Sequence, residues 1–221
     1  AENIAVLMPK LKELSGIEFL PNVVNSQKID IKTGTIENVS DLSFSTMDNS
    51  GQVICTENRI DCVFNFDIDH QEGIEDKFNI ASEIIQFIMK KAKVFANRLA
   101  LNVTCLSNIC NGNSVFEKQV MYVGPFYKNK TIKEWSSRTN ARGMMSINGI
   151  EESLNIITEY TYATEQTTKE TRIICHTDIN TIPENKDFRF ESDSIAIFKK
   201  QARSIFLEIQ DDLEGLIQDE K

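Results

Sequence analysis

The chain has 221 residues, with 24 Lys and Arg against 33 Asp and Glu and a formal net charge of −9. Because binding to duplex phosphates needs a basic face, this balance argues against DNA as an obligate partner. No apolar run approaches the roughly 18 residues that predict a membrane-spanning helix. An odd number of cysteines and no recognisable secretion signal favour reduced thiols in a cytosol.

The first half of the chain predicts a helix, a set of strands and a longer helix. Apolar residues recur at helical spacing over 3–15, and Gly16 is a favourable residue just past a helix end. Between 17 and 70, apolar and polar residues alternate, which predicts an antiparallel meander. A broad apolar stripe then predicts a helix over about 77–98, with Asp76 as its cap and basic residues that complement the dipole in its last turns.

Cys55 and Cys62 are predicted to face each other across two neighbouring strands. A tight turn centred on Asn58 and Arg59 would place them directly opposite, where Cβ atoms lie about 5 Å apart. We interpret them as two small buried apolar side chains, with a redox pair and a shared metal site as the alternatives.

The second half of the chain predicts further strands and a closing helix. The strands are expected at 99–109, 115–122, 144–150, 154–162 and 172–179. An apolar stripe over 193–219, after Ser192 or Asp193 as the cap, predicts the closing helix. The segment 128–142 is polar and basic, and we interpret it as a surface connection.

The order of these elements predicts an α+β fold in which antiparallel sheet meanders pack against two long amphipathic helices. A meander followed by a helix occurs twice. This doubling predicts a first lobe over 1–110 and a second lobe over 111–221, either as separate domains or as one cooperative domain.

Several stretches resemble a sporadically distributed bacterial protein family of unknown function. The run VICTENRIDCVFNFD, the predicted helix over 77–98 and the run RLALNVTCLSNI follow the order of that family's first lobe. Residues 195–217 stand where the family has its closing helix, whereas the family's proline-rich opening strand is missing here. The resemblance implies a two-lobed α+β protein with a closing amphipathic helix, and it carries no assigned activity.

Enzymatic activity is not expected, but one arrangement is kept as an alternative. The chain has no Gly-x-Ser-x-Gly elbow, no Walker loop and no dinucleotide-binding glycine pattern. The alternative is a metal-dependent hydrolase of nucleic acid, because carboxylates can hold Mg²⁺ while a lysine assists the attacking water or the phosphate. Its residues would be Asp61, Asp67, Asp69, Glu75 and Lys77.

A second chemical candidate is the pair His176 and Asp178, which share one face of a predicted strand. The carboxylate could orient the imidazole as a base, but no nucleophile is evident beside them. Cys175 is adjacent to His176 and points to the opposite face, so these two residues cannot form a dyad.

Partner binding is the function that the charge pattern favours. Acidic residues at the end of the closing helix oppose its dipole, and we interpret Asp211, Asp212 and Glu214 either as a solvated helix end or as a docking surface for a basic partner. Lys130, Trp135 and Arg138 form a basic and aromatic set that suits an acidic protein, another copy of the chain or a single-stranded nucleic acid, the last being disfavoured by the net charge.

We therefore predict a non-enzymatic binding or assembly protein of a bacterial cytosol that uses no cofactor, holds no metal and does not enter a membrane. Its partner is another protein or another copy of itself. Proteins of this kind often accompany defence or toxin–antitoxin systems, an association that does not follow from physical chemistry.

Overall fold

The computed structural model describes residues 2–29, 33–66, 71–108, 110, 130 and 134–218. Within these residues the helices are α1 (Glu2–Ser15), α2 (Gln71–Ala92) and α3 (Ser194–Gln218). The strands are β1 (Leu20–Ile29), β2 (Ile36–Ser45), β3 (Gly51–Cys55), β4 (Ile60–Phe64), β5 (Ala100–Leu106), β6 (Ser136–Ile147), β7 (Ile150–Thr164) and β8 (Thr171–Thr181). The predicted α+β class is confirmed, and the helix predicted over 3–15 is α1, shorter than the two long ones.

The chain falls into two compact units. One comprises Ala1–Phe95 with Glu191–Ala196, and the other comprises Ala96–Phe190 with Ile197–Lys221. The lobes predicted over 1–110 and 111–221 stay a prediction. Whether each unit folds by itself stays a prediction.

The first unit is an antiparallel sheet in the order β1-β2-β3-β4, with α1 and α2 on one of its faces. Phe44 and Val53 are opposite each other on the covered face and are fully buried. They pack with Leu11 of α1 and Ile84 of α2 in one apolar cluster. Burial of such side chains contributes about 1.5–3 kcal/mol each, so this cluster stabilises the unit.

The register of β3 and β4 corrects the predicted cysteine pair. Cys55 is opposite Ile60, and Cys62 is opposite Val53, so the two cysteines are diagonal neighbours. The turn is centred on Glu57 and Asn58, one residue earlier than predicted, as the 2.9 Å bond from the Thr56 amide to the Arg59 carbonyl shows, and each cross-strand partner therefore shifts by two residues. Both thiols are free, and burial raises the pKa of each, which opposes thiolate chemistry.

Helix α2 begins and ends earlier than the predicted range of 77–98. It starts at Gln71, so the expected cap Asp76 lies inside the helix. The buried side chain of Ile74 extends the apolar stripe toward the N-terminus. The helix stops because Lys93 takes a positive φ of 54° and the Val94 amide donates to the Met89 carbonyl.

The second unit is an antiparallel sheet in the order β5-β8-β7-β6, with α3 across one face. Ile173, Cys175 and Ile179 alternate along β8 toward the helix and are buried. Phe206 of α3 is also fully buried. The closing helix is therefore confirmed within a residue at each end.

Strand β6 corrects two predictions. Residues 136–142 belong to this strand rather than to a surface connection, and the strand predicted over 144–150 is in fact the end of β6, a turn and the start of β7. The turn consists of Asn148 and Gly149, with φ values of 53° and 80°. This Asn-Gly pair is the preferred sequence of a two-residue hairpin whose twist matches its strands. The strand predicted at 115–122 lies outside the described residues.

Replacing Gly149 by Ala is expected to destabilise the second unit by about 1 kcal/mol, because a Cβ atom disfavours the left-handed backbone there. No atom lies within 4 Å of the added Cβ, so the cost comes from the backbone alone. Gly215→Ala is the matched control, since that position in α3 is equally open and Ala is preferred in a helix by about 0.5–1 kcal/mol. Urea denaturation checks both, and a stabilising Gly149→Ala would contradict the assigned turn.

Candidate interaction surface

Helix α3 is fixed on the second sheet by apolar and polar contacts. Leu213 is buried in a cluster with Trp135, Ile173 and Cys175. The Gln210 side chain donates to the Cys175 sulfur at 3.5 Å, while the Gln201 side chain donates to the Ser146 carbonyl at 2.6 Å. Gln210 thus faces β8 and Gln201 faces the end of β6, which sets the rotation of the helix about its axis.

The side of α3 that faces β6 carries acidic residues. With 3.6 residues per turn, Glu208 and Asp212 fall on the same side as Gln201, and both are exposed. Burial raises the pKa of Tyr160 on β7, and the Cys175 thiol and then the Asp212 carboxylate raise it further, so Asp212 lies near this strand. Asp211 and Glu214 are exposed on the remaining solvent sides.

The negative charges of these α3 carboxylates are not balanced by positive charge in the last turn of the helix. That turn contains no basic residue, and negative charge near a helix C-terminus is unfavourable by about 0.3–1 kcal/mol per group at low salt. The acidic end of α3 is therefore held against the sheet by packing, while its negative charge does not stabilise the helix.

Among the strands that the structure describes, β6 is at one edge of the second sheet. Among the described residues it pairs only with β7, and residues 138–142 are all exposed. Its side chains alternate between the two faces, so Thr139, Ala141 and Gly143 share the face of the buried Met145, on which α3 lies. Arg138, Asn140 and Arg142 occupy the opposite face.

The backbone groups of β6 also alternate in direction. The Tyr162 amide donates to the Trp135 carbonyl at 3.0 Å, so residue 135 directs its backbone toward β7. The register from 136 to 147 is continuous, and in an antiparallel pair every second residue bonds to the neighbour. Arg138, Asn140 and Arg142 therefore point their N–H and C=O groups away from the sheet.

We define the β6–α3 surface as the outer edge of β6 together with the exposed acidic residues of α3. Its acidic members are Glu208, Asp211, Asp212 and Glu214. An open depression of about 540 Å³ adjoins it, lined by residues of β6 that include Arg142 and Met144 and by Glu184, which is 3.3 Å from Arg142.

The predicted partner-binding residues differ in their exposure. Asp211, Asp212, Glu214 and Arg138 are all exposed, and Lys130 is exposed as well. Trp135, in contrast, is only 8% exposed and stacks on Tyr162 at a centroid distance of 6.4 Å. Its ring is part of the core and offers little surface for stacking on a base or a partner.

The face of the sheet away from α3 has a polar row that crosses all four strands. Arg138, Glu159, His176 and Thr104 stand opposite one another in register. The Arg138–Glu159 ion pair spans 3.9 Å, and His176 Nδ1 is 2.9 Å from Thr104 Oγ1. The partner of the His176 ring is therefore Thr104, whereas Asp178 accepts from the Asn180 amide at 2.8 Å.

The described residues of the hydrolase alternative do not converge. Asp61 accepts from Arg59 Nε at 2.6 Å and points to the sheet face opposite Cys62, which packs in the helix-covered core. Lys77 of α2 is 5.5 Å above the Phe64 ring on the covered side. Glu75 also lies on α2, while Asp67 and Asp69 are outside the described residues. In the part of the chain that the structure describes, no three His, Cys, Asp or Glu side chains form a group suited to a metal ion.

Sequence reasoning did not find the edge strand β6. The signal was present, because the dipeptide Asn148-Gly149 marks a hairpin turn and the long polar side chains of Arg138, Asn140 and Arg142 alternate with smaller ones before it. Because residues 128–142 were interpreted as one basic surface connection, this alternation was not recognised as a strand pattern.

Comparison with known proteins adds no identification. No family model matches the chain, and neither curated proteins nor solved structures gave a match. The resemblance to a bacterial family therefore stays a prediction. Among the described residues, none of the helices is long and apolar enough to cross a bilayer.

Proposed function

We propose that this chain is a non-enzymatic binding or assembly protein that engages another protein through the β6–α3 surface. The observation that carries the proposal is a strand of 12 residues that forms a sheet edge within the described residues, is exposed over 138–142 and lies beside the acidic side of a packed helix. Edge strands offer backbone groups to a partner, and natural proteins commonly keep long edges covered or blunted.

The electrostatics of α3 support this interpretation. Its acidic end is held in place by Leu213 and Gln210 while the charges themselves remain in water. Charges arranged in this way contribute little to stability, but they speed the association of an oppositely charged partner and select against others. A partner with a basic contact region fits this surface.

The proposal extends to a bacterial cytosol and to an accessory role in a defence or toxin–antitoxin system. The support is the resemblance of 53–110 and 190–219 to a bacterial family, together with five cysteines that are all free. These extensions do not depend on the interaction surface. Identification of the partner protein tests them.

Affinity capture tests the proposed function. The triple variant Asp211→Lys/Asp212→Lys/Glu214→Lys is compared with Asp76→Lys/Glu83→Lys/Glu191→Lys, which reverses three other exposed acids and changes the net charge equally. We expect the unchanged chain and the control to retain one partner protein in stoichiometric amount, and the test variant to lose it. Retention of that partner by the test variant, or no stoichiometric partner at all, would contradict the proposal.

A further inference from the structure

We propose that the outer edge of β6 accepts an extended segment of a partner protein as an additional antiparallel strand, and that this segment carries basic residues at alternate positions. The inference rests on the proposed binding function and specifies its contact site and the chemistry of its partner. Addition of a strand to an open sheet edge is a general mode of peptide recognition, in which backbone bonds supply affinity and alternate side chains supply specificity.

The backbone of β6 provides the first requirement. Arg138, Asn140 and Arg142 direct their N–H and C=O groups outward, and these residues are exposed. An incoming strand can form a pair of hydrogen bonds with each of them. The residues of the incoming strand that lie opposite these three share their sheet face, which is the face away from α3.

Side-chain charge provides the second requirement. The intervening residues of the incoming strand point to the face of Thr139 and Ala141, whose side chains are small and exposed. On this face Glu208 and Asp212 line the β6 side of α3, so lysine or arginine is favoured at these positions. On the other face, residues opposite Arg138 and Arg142 favour glutamate, since opposite charges stabilise direct cross-strand pairs.

A second copy of this chain fits the edge less well. Pairing of β6 with β6 of another copy would bring Arg138 and Arg142 of both copies to one face. It would also bring the acidic sides of two α3 helices toward the other face. Like charges across strands are destabilising, so charge complementarity favours a different protein with a basic, alternating segment.

The probe that follows is the capped peptide Lys-Glu-Lys-Thr-Lys-Glu-Lys. Its four lysines face α3, its glutamates lie opposite Arg138 and Arg142, and its threonine lies opposite Asn140. Lys-Lys-Glu-Thr-Glu-Lys-Lys has the same composition without the alternation. A third peptide carries N-methyl groups on the Glu, Thr and Glu amides that bond to β6. We expect the first peptide to bind at least about tenfold more tightly than either control in NMR or calorimetric titrations.

Two protein variants test the same contacts from the other side. Asn140→Pro removes an outward N–H and no bond to β7, which an edge strand tolerates, and it is compared with Asn140→Thr. Glu208→Lys/Asp212→Lys is compared with Asp76→Lys/Glu83→Lys, which reverses two exposed acids of α2 outside the β6–α3 surface and changes the net charge equally. We expect the first variant of each pair to bind the alternating peptide at least about tenfold more weakly than the unchanged chain, and the second variant to bind it less than about threefold more weakly.

The outcomes separate this inference from the proposed function. Equal binding of the three peptides, equal effects within a variant pair, or a dimer that Asn140→Pro dissolves would overturn the inference. If Asn140→Pro still retains the captured protein while the triple acidic variant loses it, the inference fails and the proposed function stands. If neither variant affects capture of that protein, both fail.

Discussion

Arg189→Met is expected to lower the free energy of unfolding of the second unit by about 3–5 kcal/mol, the usual cost of leaving a buried charge without its partner. Arg189 donates from Nε and from one terminal nitrogen to both oxygens of Glu152, each at 2.7 Å, and from its other terminal nitrogen to the Asn97 carbonyl at 2.7 Å. Glu152 is buried at 7% exposure, Arg189 is largely buried at 14%, and the guanidinium lies over the Phe190 ring.

The measurement is urea denaturation followed by the fluorescence of Trp135, the single tryptophan, which lies in the core of the second unit. Arg138→Met is the matched control, because its ion pair with Glu159 is exposed and such pairs contribute less than about 1 kcal/mol. The double variant Arg189→Met/Glu152→Leu should recover part of the loss, since it removes the stranded carboxylate. A loss no larger than that of the control would show that the pair is not buried as described.

Phe206→Ala is expected to destabilise the second unit by a similar amount, about 3–5 kcal/mol, through the lost apolar contacts and the cavity that remains. Phe206 is fully buried on the inner side of α3. Phe188→Ala removes the same group from a position that is 72% exposed and should change the free energy of unfolding by less than about 0.5 kcal/mol. The same fluorescence assay compares the two, and equal effects would contradict the placement of α3 on the sheet.

The long helices and the meander of the first unit were predictable because one physical rule dominated each. Helix α3 has an apolar stripe that Ile195, Phe198, Phe206 and Leu213 fill, and the structure buries each of these residues. The α+β class followed from the order of such elements. In both units, the apolar helix faces and the alternating strand patterns predicted the same α+β class.

Boundaries and registers were less predictable because local signals competed there. The Cys55–Cys62 pairing depended on where a short turn is centred, and a shift of the centre moves every cross-strand partner. The start of α2 was placed too late because Gly73 and the acidic residues near it suggested a connection, whereas the buried Ile74 favours continued helix. Tertiary burial decided both cases.

The residues of the proposed interaction surface were predictable only in part. Asp211, Asp212 and Glu214 were identifiable because charge that opposes a helix dipole is visible in the sequence. That Arg138 lies on an edge strand beside the same helix depends on long-range pairing of β6 with β7 and of β7 with β8. Trp135 could equally have been an exposed or a buried ring, and only its packing against Tyr162 and Leu213 decides it.

Residue-resolved amide exchange along β6 tests the central claim most directly. In the free protein, the amides of Arg138, Asn140 and Arg142 should exchange rapidly, and those of Thr139 and Ala141 slowly, because only the latter two bond to β7. With the alternating peptide or the captured partner bound, the three fast amides should become protected. Protection of these three amides in the free protein would show that the edge is already occupied, and their continued fast exchange in the complex would show that the partner binds elsewhere.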